Sequence, residues 1–103
     1  MQNRQKALNL LGLAQRAGKL ISGSELVLAG LKNRQVKAVI LASDAHQDTL
    51  DKISKSAYNC KIEVINAFSS EEISHAVGKK RKVLGLTDSG FYHALVKKIN
   101  EGA

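Results

Sequence analysis

Gly12-Leu13-Ala14-Gln15-Arg16-Ala17-Gly18-Lys19 has the glycine and lysine spacing of a phosphate-binding loop. Such a loop must follow a strand and open a helix, so that free helix amides point at the phosphates. Here a helical pattern precedes it, an extended piece follows, and Leu20 stands where a Ser or Thr would hold magnesium. The segment is therefore read as the end of a helix. Asp44, His46 and Asp48 suggest a metal site, but no further ligands cluster near them in sequence. Acids on a loop that leads into a helix are ordinary first-turn residues favoured by the dipole. His75 and His93 lack an adjacent nucleophile or paired acid, and no serine sits in a nucleophile elbow. Cys60, the single cysteine, has no partner for an internal disulfide and reads as a packing residue. No reaction is assembled, so no catalytic residue, metal or cofactor is expected.

Two features remain. Ser22-Gly23-Ser24 opens a helix with a residue lacking a side chain, which lets a phosphate or base edge approach the free amides. Gly78-Lys79-Lys80-Arg81-Lys82 places four successive cations on a loop before a strand, with Arg16, Lys19 and Lys32 as further cations. The formal charge of +7 is unevenly spread: +6 over residues 1–42, −3 over 43–77 and +4 over 78–103. That segregation suits a protein that turns one face to a polyanion, since each phosphate contact needs a nearby cation. Aromatic residues make up 4% of the chain. That is too few for an RNA-recognition motif or an oligonucleotide-binding barrel, which stack bases on them.

The elements that must position these residues follow from periodicity. Ala7, Leu10, Leu11, Ala14 and Ala17 predict a first helix ending at Gly18, and Leu20-Ile21-Ser22 a short extended piece. Ser22 to Glu25 reads as a capping box, with Ser22 the N-cap of a second helix running to about Asn33. Val36 to Ala42 predicts a strand buried on both faces. Leu50, Ile53, Ala57 and Tyr58 mark a third helix, and Ile62 to Ile65 another strand. Ser69-Ser70-Glu71-Glu72 is a second capping box, for a fourth helix ending at Gly78. Lys82 to Thr87 is the last strand, and Phe91, Leu95 and Ile99 line a fifth helix. At 103 residues this is one domain. The expected class is α/β: a three-layer α/β/α sandwich with a roughly four-stranded mixed sheet and about five helices.

In this order and spacing, Lys19-Leu20-Ile21-Ser22-Gly23, Lys37 to Ala45 and Ile73-Ser74-His75-Ala76-Val77-Gly78 carry a family resemblance. The chain resembles the kink-turn-binding ribosomal protein superfamily of the archaeal and eukaryotic L-seven-Ae/L-thirty-e type, in its short bacterial YlxQ-like branch. The resemblance implies a single RNA-binding domain over residues 1–103 that holds kink-turn RNA, a sharply bent duplex with tandem sheared G·A pairs. Gly23 and Ser24 match the first two positions of the family's recognition helix. Glu25 stands where Asn reads a guanine edge, Leu26 where Glu or Gln stands, and Ala29 where Lys stands. Lys32, on the same helix face, could supply the missing cation. Ala76-Val77-Gly78, Arg81 and Val83-Leu84 match the loop that closes the RNA site. A bulged nucleotide is held in the family at the positions of His46 and Ser70.

The expected RNA-binding residues are thus Lys19, Gly23, Ser24, Glu25, Lys32, His46, Lys79, Lys80 and Arg81. Glu25 is read first as the capping partner of Ser22. The expected protein is a non-catalytic, monomeric RNA binder of the cytoplasm, its partner ribosomal or other structured RNA, with no membrane span. Two alternatives stay open. The same fold could serve as a protein-interaction module, with the acidic 43–77 segment facing a partner. It could also be a substrate-binding piece of an RNA methyltransferase, although no methyltransferase domain is present.

Overall fold

A computed structural model describes residues 3–101. Met1, Gln2, Gly102 and Ala103 lie outside the described residues. Nine elements follow in order: α1 (Asn3–Arg16), β1 (Leu20–Ser22), α2 (Ser24–Lys32), β2 (Ala38–Leu41), α3 (Gln47–Asn59), β3 (Glu63–Ile65), α4 (Ser70–Val77), β4 (Val83–Leu86) and α5 (Ser89–Glu101). The four strands form one mixed sheet in the order β1-β4-β2-β3. β4 runs antiparallel to both neighbours, while β2 and β3 are parallel and joined through α3. Helices α1, α4 and α5 pack together on one side, and α2 against α3 on the other. The expected sandwich of five helices and a four-stranded sheet is the fold observed.

β2 and β4 are buried at every position, as their unbroken apolar runs require of central strands covered on both faces. Edge strand β3 instead goes from an exposed Glu63 through a half-buried Val64 to a buried Ile65. Ala7, Leu11 and Ala14 bring α1 into the core, joined by Val27 and Leu31 of α2, Ile53 and Ala57 of α3, Ile73 of α4 and Leu95 of α5. Tyr58, expected on the buried face of α3, is instead 83% exposed. Ala57 already fills the inward position at the end of that helix, and the next residue turns about 100° away.

Helix α4 begins as its sequence requires. The Ser69 hydroxyl accepts from the Glu72 N–H, and the Glu72 carboxylate accepts from the Ser69 N–H. The box predicted for α2 does not form. Ser22 pairs with Leu84 as the last residue of β1, so it cannot also turn into the helix. Gly23 is the N-cap, at φ 96° and ψ 150°, and no side chain caps the first turn. That backbone region is essentially confined to glycine.

Candidate nucleic-acid interface

The start of α2 and the start of β4 meet at one end of the sheet. The Gly23 N–H donates to the Val83 carbonyl (3.0 Å), and the Ala42 N–H donates to the Lys82 carbonyl (2.8 Å). Three chain segments are thereby locked side by side where β1 and β2 end and β4 begins. The first-turn amides of α2 have no acceptor within the helix and no side-chain cap. Gly23, Glu25 and Leu26 are exposed beside them, and Ser24 is half-buried. Glu25 makes no capping bond, so its charge faces solvent at this helix start.

The basic loop is held by a residue that the sequence reading passed over. The Ser74 hydroxyl accepts from the Arg81 N–H (2.9 Å) and donates to the Arg81 carbonyl (3.3 Å). Gly78 ends α4 at φ 79°, the left-handed turn that releases the chain toward β4. Arg81 folds back to donate to the Lys80 carbonyl (2.8 Å) and is half-buried, while Lys79, Lys80 and Lys82 are exposed. Between this loop and α4 lies an open groove of about 760 Å³, lined by Ser70, Glu71, Ser74, His75 and residues 78–82. It is open and carries four cations against the single acid Glu71, suited to a phosphate backbone that lies along it.

Two more loops close the same end. The Ser43 N–H donates to the Phe68 carbonyl (2.9 Å), and the Asp44 carboxylate accepts from the Ser70 N–H (2.8 Å) and hydroxyl (2.9 Å). Hydrogen bonds from the Ser70 N–H and then its hydroxyl hold the Asp44 carboxyl below its usual range, with a smaller pull from Lys82. Asp44 therefore serves α4, rather than the helix that follows it in sequence. His46 caps α3 instead, its Nδ1 accepting from the Asp48 N–H (3.2 Å). Among the described residues, no three of His, Cys, Asp and Glu come together as metal ligands do.

Of the expected RNA-binding residues, Gly23, Ser24, Glu25, His46, Lys79, Lys80 and Arg81 thus share this end of the molecule. Lys19 and Lys32 do not. The Lys19 carbonyl accepts from the Thr87 N–H (2.9 Å), beyond the opposite end of β4. Lys32 lies eight residues along α2 from Ser24, about 12 Å away down the helix.

The chain resembles known proteins along most of its length. Residues 5–96 match the model of the Ribosomal protein L7Ae/L30e/S12e/Gadd45 family. A protein of Enterococcus faecium called RNA-binding protein YlxQ is 46% identical over 89 residues, 86% of either chain. RNA-binding protein YlxQ of Bacillus subtilis (strain 168) is 34% identical over 92 residues, 88% of this chain and 92% of that one. A solved structure of a Bacillus halodurans protein of unknown function superposes with a TM-score of 0.88 at 38% identity, covering 92% of this chain and 97% of that one. The Giardia lamblia 15.5kD RNA binding protein shares the fold, at TM-score 0.77 and 13% identity, over 96% of this chain and 86% of its own. Together with the order of its helices and strands, these matches show that the chain belongs to the L7Ae/L30e/S12e/Gadd45 ribosomal protein family.

Proposed function

We propose that this chain is a non-catalytic RNA-binding protein that seats a bent, kink-turn-like RNA between the start of α2 and the loop of residues 78–82. The observation that carries this reading is the Gly23–Val83 hydrogen bond (3.0 Å), which sets an uncapped helix start beside a pinned basic loop. Free amides and the positive end of the helix dipole attract phosphate, and the loop cations add charge along its path. The names of the Enterococcus faecium and Bacillus subtilis relatives support the same partner. On this reading the protein is a cytoplasmic monomer, and ribosomal RNA is one candidate ligand. No helix among the described residues is long and apolar enough to cross a membrane.

Gly23 and Ser24 admit the RNA backbone to the helix amides. Lys79, Lys80 and Arg81 neutralise phosphates, and His46 stands by the bulged nucleotide. Contacts of this kind give affinity and register, while base-edge contacts discriminate between sequences. With Glu25 and Ala29 in place of the family's Asn and Lys, preference for a kink-turn over a straight duplex is modest.

Replacing Lys79, Lys80 and Arg81 with Ala tests the site. Ser74 holds this loop through the Arg81 backbone, so the fold survives the loss of the three side chains. Affinity for a kink-turn duplex should fall, and the slope of log affinity against log salt should flatten by about two units for two or three lost phosphate contacts. Unchanged affinity with an unchanged slope rejects the loop as a contact surface.

A further inference from the structure

At the other end of the sheet the chain reverses three times into a strand, and each reversal carries a cation. Lys19 precedes β1, Lys37 lies just before β2 with its N–H on the Leu86 carbonyl (2.6 Å), and Lys61 comes shortly before β3. With the strand order β1-β4-β2-β3 and strands about 4.8 Å apart, these three form a row across the sheet end. Arg34, from the turn after α2, stands beside them. All four are exposed, and none ion-pairs with a carboxylate among the described residues. A groove of about 510 Å³ passes by Lys32, Arg34, Lys37 and Lys61, and no acid lines it. The nearby carboxylates are engaged on the α5 side: Glu63 accepts from the Tyr92 hydroxyl (2.7 Å) and Asp88 from the Phe91 N–H (2.9 Å).

Two of these cations occupy positions where the backbone favours glycine. After α1 and α4 the chain turns through Gly18 at φ 73° and Gly78 at φ 79°. After α2 and α3, the helices flanking the groove, it turns through Arg34 at φ 62° and Lys61 at φ 60°. A left-handed conformation is unfavourable for a residue with a Cβ, so folding alone gives no reason for a cation there. At Arg34 the helix dipole does not supply one either, because Lys32 in the last turn of α2 already satisfies it. The last turn of α3 holds no cation, and Lys61 also meets that helix's dipole. Beside Lys61 stands Tyr58, 83% exposed, and both residues line a shallow hollow with Asn59, Ile62 and Glu63, whose carboxylate is turned to the Tyr92 hydroxyl. An exposed ring among unpaired cations suits a nucleobase stacked on the ring with its phosphates held alongside. Bases are open to such stacking when they are unpaired, not inside a duplex.

We infer that this end of the sheet is a second RNA-binding surface, for an unpaired stretch of RNA, with Tyr58 stacking on a base and Lys19, Arg34, Lys37 and Lys61 along the backbone. The inference rests on the chain being an RNA binder. It adds a contact on the far side of the sheet from the first site, so one protein holds a structured RNA and a single strand at once. β2 alone, with its four residues, sets the two ends about 13 Å apart before their loops are counted.

The test uses the whole chain saturated with an unlabelled kink-turn duplex, titrated with a labelled oligouridylate of about ten nucleotides. The oligouridylate should bind, and Tyr58→Ala should weaken it about fivefold or more. Arg34→Gly combined with Lys61→Gly should flatten the salt slope by about 1.4 units, at about 0.7 per phosphate on a single strand. The melting temperature of that double variant should hold or rise, because glycine relaxes both turns. Lys79, Lys80 and Arg81 changed to Ala should leave the oligouridylate unaffected. Oligouridylate binding that ignores Tyr58 and the Arg34/Lys61 pair overturns the inference. So does a failure to bind at all, which leaves an acidic protein as the partner these cations await. The first site is judged separately, by whether the duplex responds to the loop variant.

Discussion

Gly23→Ala separates what the backbone requires at the start of α2 from what RNA requires there. Gly23 sits at φ 96° and ψ 150°, and a Cβ built on it meets nothing within 4 Å. The cost is therefore backbone strain without a clash, on the order of 1–3 kcal/mol. The lower unfolded-state entropy of Ala returns roughly 0.5–1 kcal/mol of this, leaving a net loss of about 1–2 kcal/mol. For a domain of this size that is roughly 5–15 °C of melting temperature, measurable by circular dichroism. Gly18→Ala is the matched control. It too has a positive φ, 73°, with open space around the new Cβ, but it lies at the opposite end of the sheet. Both variants should lose comparable stability. Relaxation at Gly23, however, also breaks its bond to Val83 and swings the first turn of α2 away from the basic loop. Affinity for a kink-turn duplex, measured well below both melting temperatures, should fall in Gly23→Ala and hold in Gly18→Ala. The reasoning fails if Gly23→Ala melts like the parent, or if both variants lose affinity equally.

Restoring the family residues with Glu25→Asn and Ala29→Lys should widen the preference for a kink-turn over its Watson–Crick-paired control by about 1–3 kcal/mol. Because Glu25 caps nothing, the stability cost is only its favourable place near the helix dipole, about 0.3–1 kcal/mol. A natural protein that already discriminates a hundredfold contradicts this account of Glu25 and Ala29. A different expectation concerns acid. The Arg4 guanidinium, donating to Glu72 (2.8 Å), and the Ser69 N–H hold the Glu72 carboxyl at about 2 instead of 4.5. A depressed carboxyl stabilises the fold above its unfolded value, and that stability is lost as pH falls from about 4.5 toward 2. Solvent screening limits the effect to about 1 kcal/mol. Glu72→Gln keeps the capping bond but should remove most of this acid loss from urea midpoints taken across pH. A parallel fall in both proteins would assign the loss to other carboxylates.

Local chemistry along the chain determined the elements. Apolar residues at helical spacing placed α1, α3 and α5. Unbroken apolar runs placed β2 and β4, and Ser69 with Glu72 and Gly78 bounded α4. These signals need only neighbours three or four residues away, which is why they can be read without a fold. The same rule misplaced the start of α2. Ser22 and Glu25 have the spacing of a capping box, but Ser22 is claimed by Leu84, sixty-two positions later, as a strand partner. Such pairing outweighs a single side-chain cap, and Gly23 takes the turn. The sequence likewise held every cation of the two proposed surfaces without saying which belonged together. Lys19 lies four residues from Gly23, yet β1 runs the length of the sheet between them. Lys82 lies forty residues from Ala42, yet the two are joined by a hydrogen bond of 2.8 Å. Asp44 shows the same dependence, because it bonds Ser70, twenty-six positions later, which only the packed sheet brings near. Which residues share an end of the sheet depends on strand direction and order. Those are set by burying both faces of β2 and β4 together, a property of the whole core that no short stretch contains.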